Sequence, residues 1–299
     1  MSSNTPIFIT KSSGDTEPFM SSKLEESLLG SGASTELTQE IVMHITADLR
    51  EGMPTSEIYR HAFTLLRKSH RPIAARYSLK RALMEYGPSG FPFERYFARI
   101  LDSYGYQTEV GVQVAGACVS HEVDVVAKKG NEIIFVEAKF HNSPETKSDV
   151  KTALYIHARF LDIAKNFSNT DGIQPSAWLV TNTIFTTQAI AYANCVGLRI
   201  LGWNYPKGAS LQDLITATQM HPVTCLTSLT TKQKRALVDE GKILCRDLRD
   251  NDEILARIGV SKQGLKHVQD EVSGVCPITN ELTYSALPGD TLHPMAVDI

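Results

Sequence analysis

Asp124, twelve intervening residues, then Glu137, Ala138 and Lys139 form the run of this sequence best equipped for chemistry. Two carboxylates held close together repel one another and resist ionising unless a hard divalent cation lies between them. Mg2+ suits that position, because it is bound by one or two carboxylates and takes its remaining ligands from water and substrate phosphate. A lysine beside such a pair can orient a water or stabilise developing charge. The chemistry indicated is metal-dependent hydrolysis of phosphodiester bonds, with Asp124, Glu137 and Lys139 as the catalytic set.

The elements that would position this set are legible around it. Residues 123–128 and 132–140 are rich in β-branched and aromatic side chains, and Lys129, Gly130 and Asn131 between them have turn chemistry, so a hairpin is expected. With Gly130 and Asn131 as a two-residue turn, Lys129 faces Glu132 and Asp124 falls opposite Glu137. The cross-strand Cβ atoms would then lie roughly 5 Å apart. Strand alternation puts Lys139 on the face of Glu137 and turns Val136, Ala138 and Phe140 into a core. His141 continues the Glu137 and Lys139 face and is a candidate phosphate contact. Beyond the hairpin, Lys151, Tyr155 and Arg159 recur at i, i+4 and i+8 on an expected helix over 148–167, a basic and aromatic stripe able to track a phosphate backbone.

At 299 residues, with 42% hydrophobic and 21% charged residues, the chain has the composition of a multi-domain globular protein. Its formal charge of −3 argues against an overall electrostatic grip on nucleic acid, so any such surface is local. The five cysteines show no paired spacing and indicate neither a zinc site nor a disulfide framework; a reducing cytoplasm is the expected setting. No stretch reads as a secretion signal or a membrane span.

Four parts are expected: 1–88, 89–206, 207–276 and a mobile tail over 277–299. In the first, a short β-hairpin precedes helices capped at Ser21 or Ser22, at Thr35 and at Thr55, followed by one helix over 73–86. In the second the expected order is αβββαβαβ: a helix from Pro92 closed by Gly105, the strand 108–114, the hairpin, the helix 148–167, the strand 177–181, a helix 187–196 closed by Gly197, and the strand 198–203. In the third, helices are expected over 211–218, 230–240, and either side of an Ile-Gly-Val-Ser-Lys turn at 258–262, a faint likeness to a helix-hairpin-helix whose turn amides could hold a phosphate.

Two family resemblances follow from these residues. Ile9, Lys11, Gly14, Phe19, Lys23 and Leu24, with the Thr-Ser-x-Ile element at Thr55, resemble the ATP-cone, the regulatory nucleotide-binding module of ribonucleotide reductases and their repressor. The likeness implies ATP or dATP as a regulatory ligand, held by the lysines at a site formed by Ile9, Lys11, Lys23 and Thr55. Ser12 departs from the family, which usually has arginine there, a bidentate phosphate donor.

The second resemblance spans 91–203. Asp124, Glu137 and Lys139, with Phe93, Glu94, Ala98, Leu101, Gly105 and Tyr106 on the preceding helix, resemble the PD-(D/E)xK nuclease core and most closely its Mrr-like restriction-endonuclease branch. This implies Mg2+, or Mn2+, on Asp124, Glu137 and the main-chain oxygen of Ala138, with Lys139 serving the attacking water and Glu94 completing the site. The fold class expected overall is α/β, with an ATP-cone-like front, a nuclease core and a small helical end. The favoured function is a nucleotide-regulated, Mg2+-dependent DNA endonuclease, with a homo-oligomer needed for double-strand cleavage. A non-enzymatic nucleotide sensor on a nuclease scaffold, and a phosphodiesterase for RNA or a signalling nucleotide, stay open.

Overall fold

The computed structural model describes residues 6–87, 90–167 and 172–277. Pro88 and Ser89, at the expected boundary between the first two parts, and the expected tail from 278 onward lie outside them.

The chain opens with β1 (Phe8–Thr10) and β2 (Thr16–Pro18), an antiparallel pair whose turn uses Gly14 at φ 90°. Helices α1 (Ser21–Gly30) and α2 (Thr35–Ala47) follow, then β3 (Met53–Pro54), which pairs parallel to β1 and completes a three-stranded sheet. Proline is tolerated there because β3 lies at the sheet edge. Helix α3 (Thr55–Ser69) lays Ile58, Ala62 and Leu66 into a core with Ile9, Leu24, Leu28, Ile41 and Ile45.

Several expected helix ends move. α1 begins at Ser21 after Met20, with no side-chain cap, so neither Ser21 nor Ser22 caps it. Ser34 rather than Thr35 caps α2, accepting from Leu37 N, and α2 stops at Ala47, short of Arg50. Pro54 holds the N-cap position of α3, with Thr55 its first helical residue. The single helix expected over 73–86 is instead α4 (Arg71–Tyr77) and α5 (Leu79–Met84). They are divided at Ser78, whose hydroxyl donates to Ala75 O at 2.9 Å.

The central sheet has the order β10-β8-β6-β5-β4, built from β4 (Gln107–Ala115), β5 (Ser120–Lys129), β6 (Glu132–Lys139), β8 (Gln174–Thr181) and β10 (Arg199–Leu201). β4, β5 and β6 are antiparallel neighbours, while β8 and β10 run parallel to β6. Helix α6 (Phe91–Ser103) covers one face; α7 (Val150–Ala164) and α8 (Thr187–Val196) cover the other. This is the expected αβββαβαβ order, with a two-residue parallel pair added, β7 (Lys147–Ser148) and β9 (Ile184–Phe185). α8 ends at Gly197 with φ 71°, a left-handed position that glycine adopts without strain.

After β10 come α9 (Leu211–Thr218), α10 (Thr231–Asp239), α11 (Asp252–Arg257) and α12 (Lys262–Val275). Glu271 of α12 is buried, and its two oxygens accept from Thr227 N and Ser228 N at 2.7 and 2.8 Å, tying the loop before α10 to the last helix. At the turn expected to offer amides to a phosphate, the Gly264 amide already donates to Ser261 Oγ, the cap of α12. Cys225, Cys245 and Cys276, far apart in sequence, meet as free thiols in this core beside His221. Among the described residues no group of three or more His, Cys, Asp or Glu is arranged to hold a metal.

α4 and α5 serve three cores. Ala74 packs with the N-terminal helices, Ala75 and Ala82 with the C-terminal helices, and Leu79 and Leu83 with α6 and the sheet. No described helix is long and apolar enough to cross a membrane.

Candidate active site

The hairpin pairs Lys129 with Glu132 and continues inward to Val125 with Val136, the register expected from the two-residue turn. There the ladder ends. One position further, where Asp124 would face Glu137, β5 separates from β6, and the Asp124 carboxylate takes the place of a backbone partner: Ala138 N donates to Asp124 Oδ2 at 2.7 Å. Opposite this point on β4, Gly111 adopts φ 66°. Around it the strand changes sides, Val125 packing under α6 and Val123 under α7. A strand residue's N–H and C=O point to the same edge, so the Ala138 carbonyl faces the gap that Asp124 enters.

Glu137 is 7% exposed and doubly held. Lys139 Nζ lies 2.5 Å from its Oε1 and Arg159 Nη1 lies 2.8 Å from its Oε2. Val136 and Ala138, as expected, enter the core on the α6 side, with Phe140 against it. The cleft over this spot measures about 300 Å³ and is lined by Ser120, His121, Glu122, Asp124, Glu137, Tyr155 and Arg159. Arg159 also stands over the Tyr155 ring, 5.4 Å from its centroid, so the two form one cationic and aromatic wall.

Burial, and then the neighbouring Glu137, push the Asp124 carboxyl above its ordinary range; the Ala138 amide, Lys139 and Arg159 pull the other way. Glu94, in the first turn of α6, is pushed up to about 7, first by burial and then by Asp124, Glu137 and Glu122. It is not part of the cleft lining, but both carboxylates act on it through space. A carboxyl whose proton is held more tightly in the folded state, from the ordinary 4.5 up to about 7, makes stability fall as pH rises through that window. Glu94→Gln removes this contribution. In chelator-containing buffer the variant should therefore gain thermal stability relative to the parent between about pH 5 and about pH 8. A difference independent of pH would show that Glu94 does not titrate there.

Other sequence candidates fall differently. His141 leaves the strand: its backbone N–H donates to Asn182 Oδ1 at 2.8 Å, and its Nε2 lies 3.0 Å from Ser148 Oγ. Lys151 is exposed and is not among the cleft residues. Lys11 and Lys23 converge on one acceptor, Glu17, at 2.8 and 3.1 Å; Ile9 buries its side chain in the N-terminal core, leaving only its backbone to offer a ligand. Glu122 and the pair His121–Asp162, 2.8 Å apart, were not singled out from sequence. The available signals were the two-residue spacing of Glu122 from Asp124, and Asp162 standing one turn past Arg159.

The donor set fits Mg2+. Two carboxylates and a main-chain oxygen meet at the gap, matching a cation that takes one or two carboxylates and keeps several waters. Glu137 has lone pairs beyond those facing Lys139 and Arg159, since a carboxylate offers about four acceptor directions.

Comparison with known proteins agrees with this architecture. Residues 88–204 match the restriction endonuclease family, and residues 221–276 match the family described as AF1548-like, C-terminal. An uncharacterized protein of Archaeoglobus fulgidus is 37% identical over 179 residues, which are 60% of this chain and 98% of that protein. The crystal structure of AF1548, a protein of unknown function, is 34% identical with a TM-score of 0.51, covering 63% of this chain and 98% of that one. The MspJI restriction endonuclease in complex with an oligonucleotide is 14% identical with a TM-score of 0.33, over 66% of this chain and 39% of that one. The chain belongs to the AF1548-like family, with a restriction endonuclease domain joined to an AF1548-like C-terminal domain.

Proposed function

We propose that the protein is a metal-dependent DNA endonuclease whose N-terminal module reads a nucleotide. The observation that carries the reading is the separation of β5 from β6, which gathers Asp124, Glu137, Lys139 and the Ala138 carbonyl at one gap within a restriction endonuclease domain. Mg2+ bound there would supply Lewis acidity toward the scissile phosphate. The chain's own residues do the rest. Arg159 fixes the Glu137 carboxylate from α7, so that it does not swing away from the gap. Lys139, 39% exposed at its side chain and paired with Glu137, is a cation able to hold the attacking water and to stabilise charge on the phosphate. Glu94, with its carboxyl near neutrality, is suited to moving a proton at pH 7. Tyr155 and Arg159 form the wall along which a phosphate backbone would lie.

The nucleotide part of the reading rests on Ile9, Lys11, Lys23 and Thr55, and on a contact that links this module to the nuclease. Ser12 Oγ donates to Glu145, in the loop that follows Lys139 and leads into α7. ATP or dATP at the lysines would compete for the Glu17 contacts and shift the turn that carries Ser12. One active site per chain makes a homo-oligomer the simplest unit for double-strand cleavage.

The test is a cleavage panel on plain, methylated, single-stranded and branched DNA in Mg2+ or Mn2+, with and without ATP or dATP. At least one substrate is expected to be cut, with activity abolished by EDTA and altered by nucleotide. Cutting that survives EDTA, or no cutting of any DNA in either metal, overturns the nuclease reading; cutting indifferent to both nucleotides overturns only the regulation.

A further inference from the structure

A second chamber lies away from the cleft, at the seam where the N-terminal helices, the sheet domain and the C-terminal helices meet. Its volume is about 220 Å³. α1 contributes Ser27 and Gly30, α3 contributes Tyr59, and the α4–α5 corner contributes Arg76, Tyr77, Lys80 and Arg81. Trp203, Gln212 and His221 close it from the other side.

The charge of the lining is one-sided: three cations and no carboxylate, in a chain whose formal charge is −3. Arg76 has structural work, donating to Ser31 O and Gly274 O at 2.8 Å each. Among the described residues, Lys80 and Arg81 have no hydrogen-bonding or ion-pairing partner; Arg81 lies 3.6 Å over the Tyr59 ring, and burial lowers the Lys80 pKa. Lys80 is half-buried, with Glu145 acting on it only through space, so an anion in the chamber would offset the cost of its desolvation, and the exposed Arg81 stands beside it to share that anion. The second, independent observation is His221. It is 2% exposed, lines the chamber, and its Nε2 has no partner. A ligand atom in the chamber would complete this buried nitrogen.

The rest of the lining is aromatic. Tyr59 and Tyr77 stack with centroids 5.1 Å apart, and Trp203 supplies a third ring. Gln212 adds an amide able to both donate and accept. A bare phosphate would satisfy the cations and leave this wall and the imidazole unused. The space is also smaller than the roughly 300–1,000 Å³ usual for pockets that take drug-sized ligands.

We propose that this chamber binds a nucleoside monophosphate, with the phosphate on Lys80 and Arg81 and the base against the aromatic wall within reach of His221 Nε2 and Gln212. The site is separate from Lys11 and Lys23 and independent of the nuclease reading. A ligand here would clamp all three parts of the chain at their common corner, the corner that α4 and α5 form.

Titration calorimetry on the full chain tests it, using AMP, GMP, CMP and UMP, with adenosine, inorganic phosphate and a 5′-phosphorylated trinucleotide as further arms. At least one mononucleotide is expected to bind one per chain, at least tenfold more tightly than adenosine or phosphate. The trinucleotide arm distinguishes a free nucleotide from a nucleic-acid end as the source. Lys80→Gln should weaken binding at least tenfold, whereas Lys11→Ala and Asp124→Ala should leave it unchanged. Arg81 also covers Tyr59, so its loss could disturb the fold; Lys80 has no partner to lose, which keeps its variant decisive. No mononucleotide binding, equal binding of phosphate, or Lys80→Gln binding as the parent does would each overturn the proposal.

Discussion

Lys139→Ala and Asp124→Ala are each expected to reduce DNA cleavage in Mg2+ by at least about 100-fold while leaving the fold in place, since removing one charge-stabilising group at a reacting phosphate costs on the order of 10²–10³ in rate. Lys139 is part-exposed at its side chain and packs into no core, so its loss removes function with little loss of stability. Asp124 is different in kind. Its Oδ2 is the partner of the Ala138 amide at the point where the strands separate, so Asp124→Asn, which keeps an acceptor oxygen and loses the charge, is the companion variant. If the asparagine variant folds as the parent does and is as inactive as the alanine variant, the charge is what matters. Parental cleavage rates in Lys139→Ala and Asp124→Asn together would remove both residues from the chemistry.

Phe97→Ala is expected to destabilise the protein by about 3–5 kcal/mol, the usual cost of emptying a buried aromatic site. Phe97 is 0% exposed, and its ring stands 6.3 Å from that of Trp178, on β8, across the interface between α6 and the sheet. That interface sets where Glu94 sits, because the charged residue is on the first turn of the same helix. The loss should lower the melting temperature on the order of 10 °C, by the usual conversion for a domain of this size. Cleavage should fall at temperatures where the parent is still fully active. A change below about 1 kcal/mol in denaturant unfolding would mean that α6 is held on the sheet by contacts other than this ring.

The parts of the site legible beforehand were those whose geometry is local. The register from Lys129–Glu132 to Val125–Val136 follows from one turn and a period of two, so counting outward from Gly130 and Asn131 holds up to Val125 and Val136 without knowledge of any other strand, and stops one position short of Asp124 facing Glu137. The end of α8 was likewise readable, because Gly197 acts within a few residues of itself. The single helix expected over 73–86 is divided at Ser78, a position whose apolar neighbours on both sides keep the helical period.

By itself, then, the sequence determined the hairpin, the face shared by Glu137 and Lys139, and the order of elements around them, since each depends on residues a few positions apart. Only the tertiary structure decided that β5 leaves β6 at Asp124, a point where a third strand, β4, places Gly111 opposite. Only it placed Arg159 on Glu137: a charged residue on an amphipathic helix has the same spacing whether it meets solvent or a carboxylate on the sheet beneath. The same holds for His121 with Asp162, 41 positions apart, and for the chamber where Lys80, Arg81 and His221 converge. Periodicity shows which side of an element is apolar. What that element is packed against depends on long-range contacts, and at Asp124 and Glu137 those contacts decide what the charges meet.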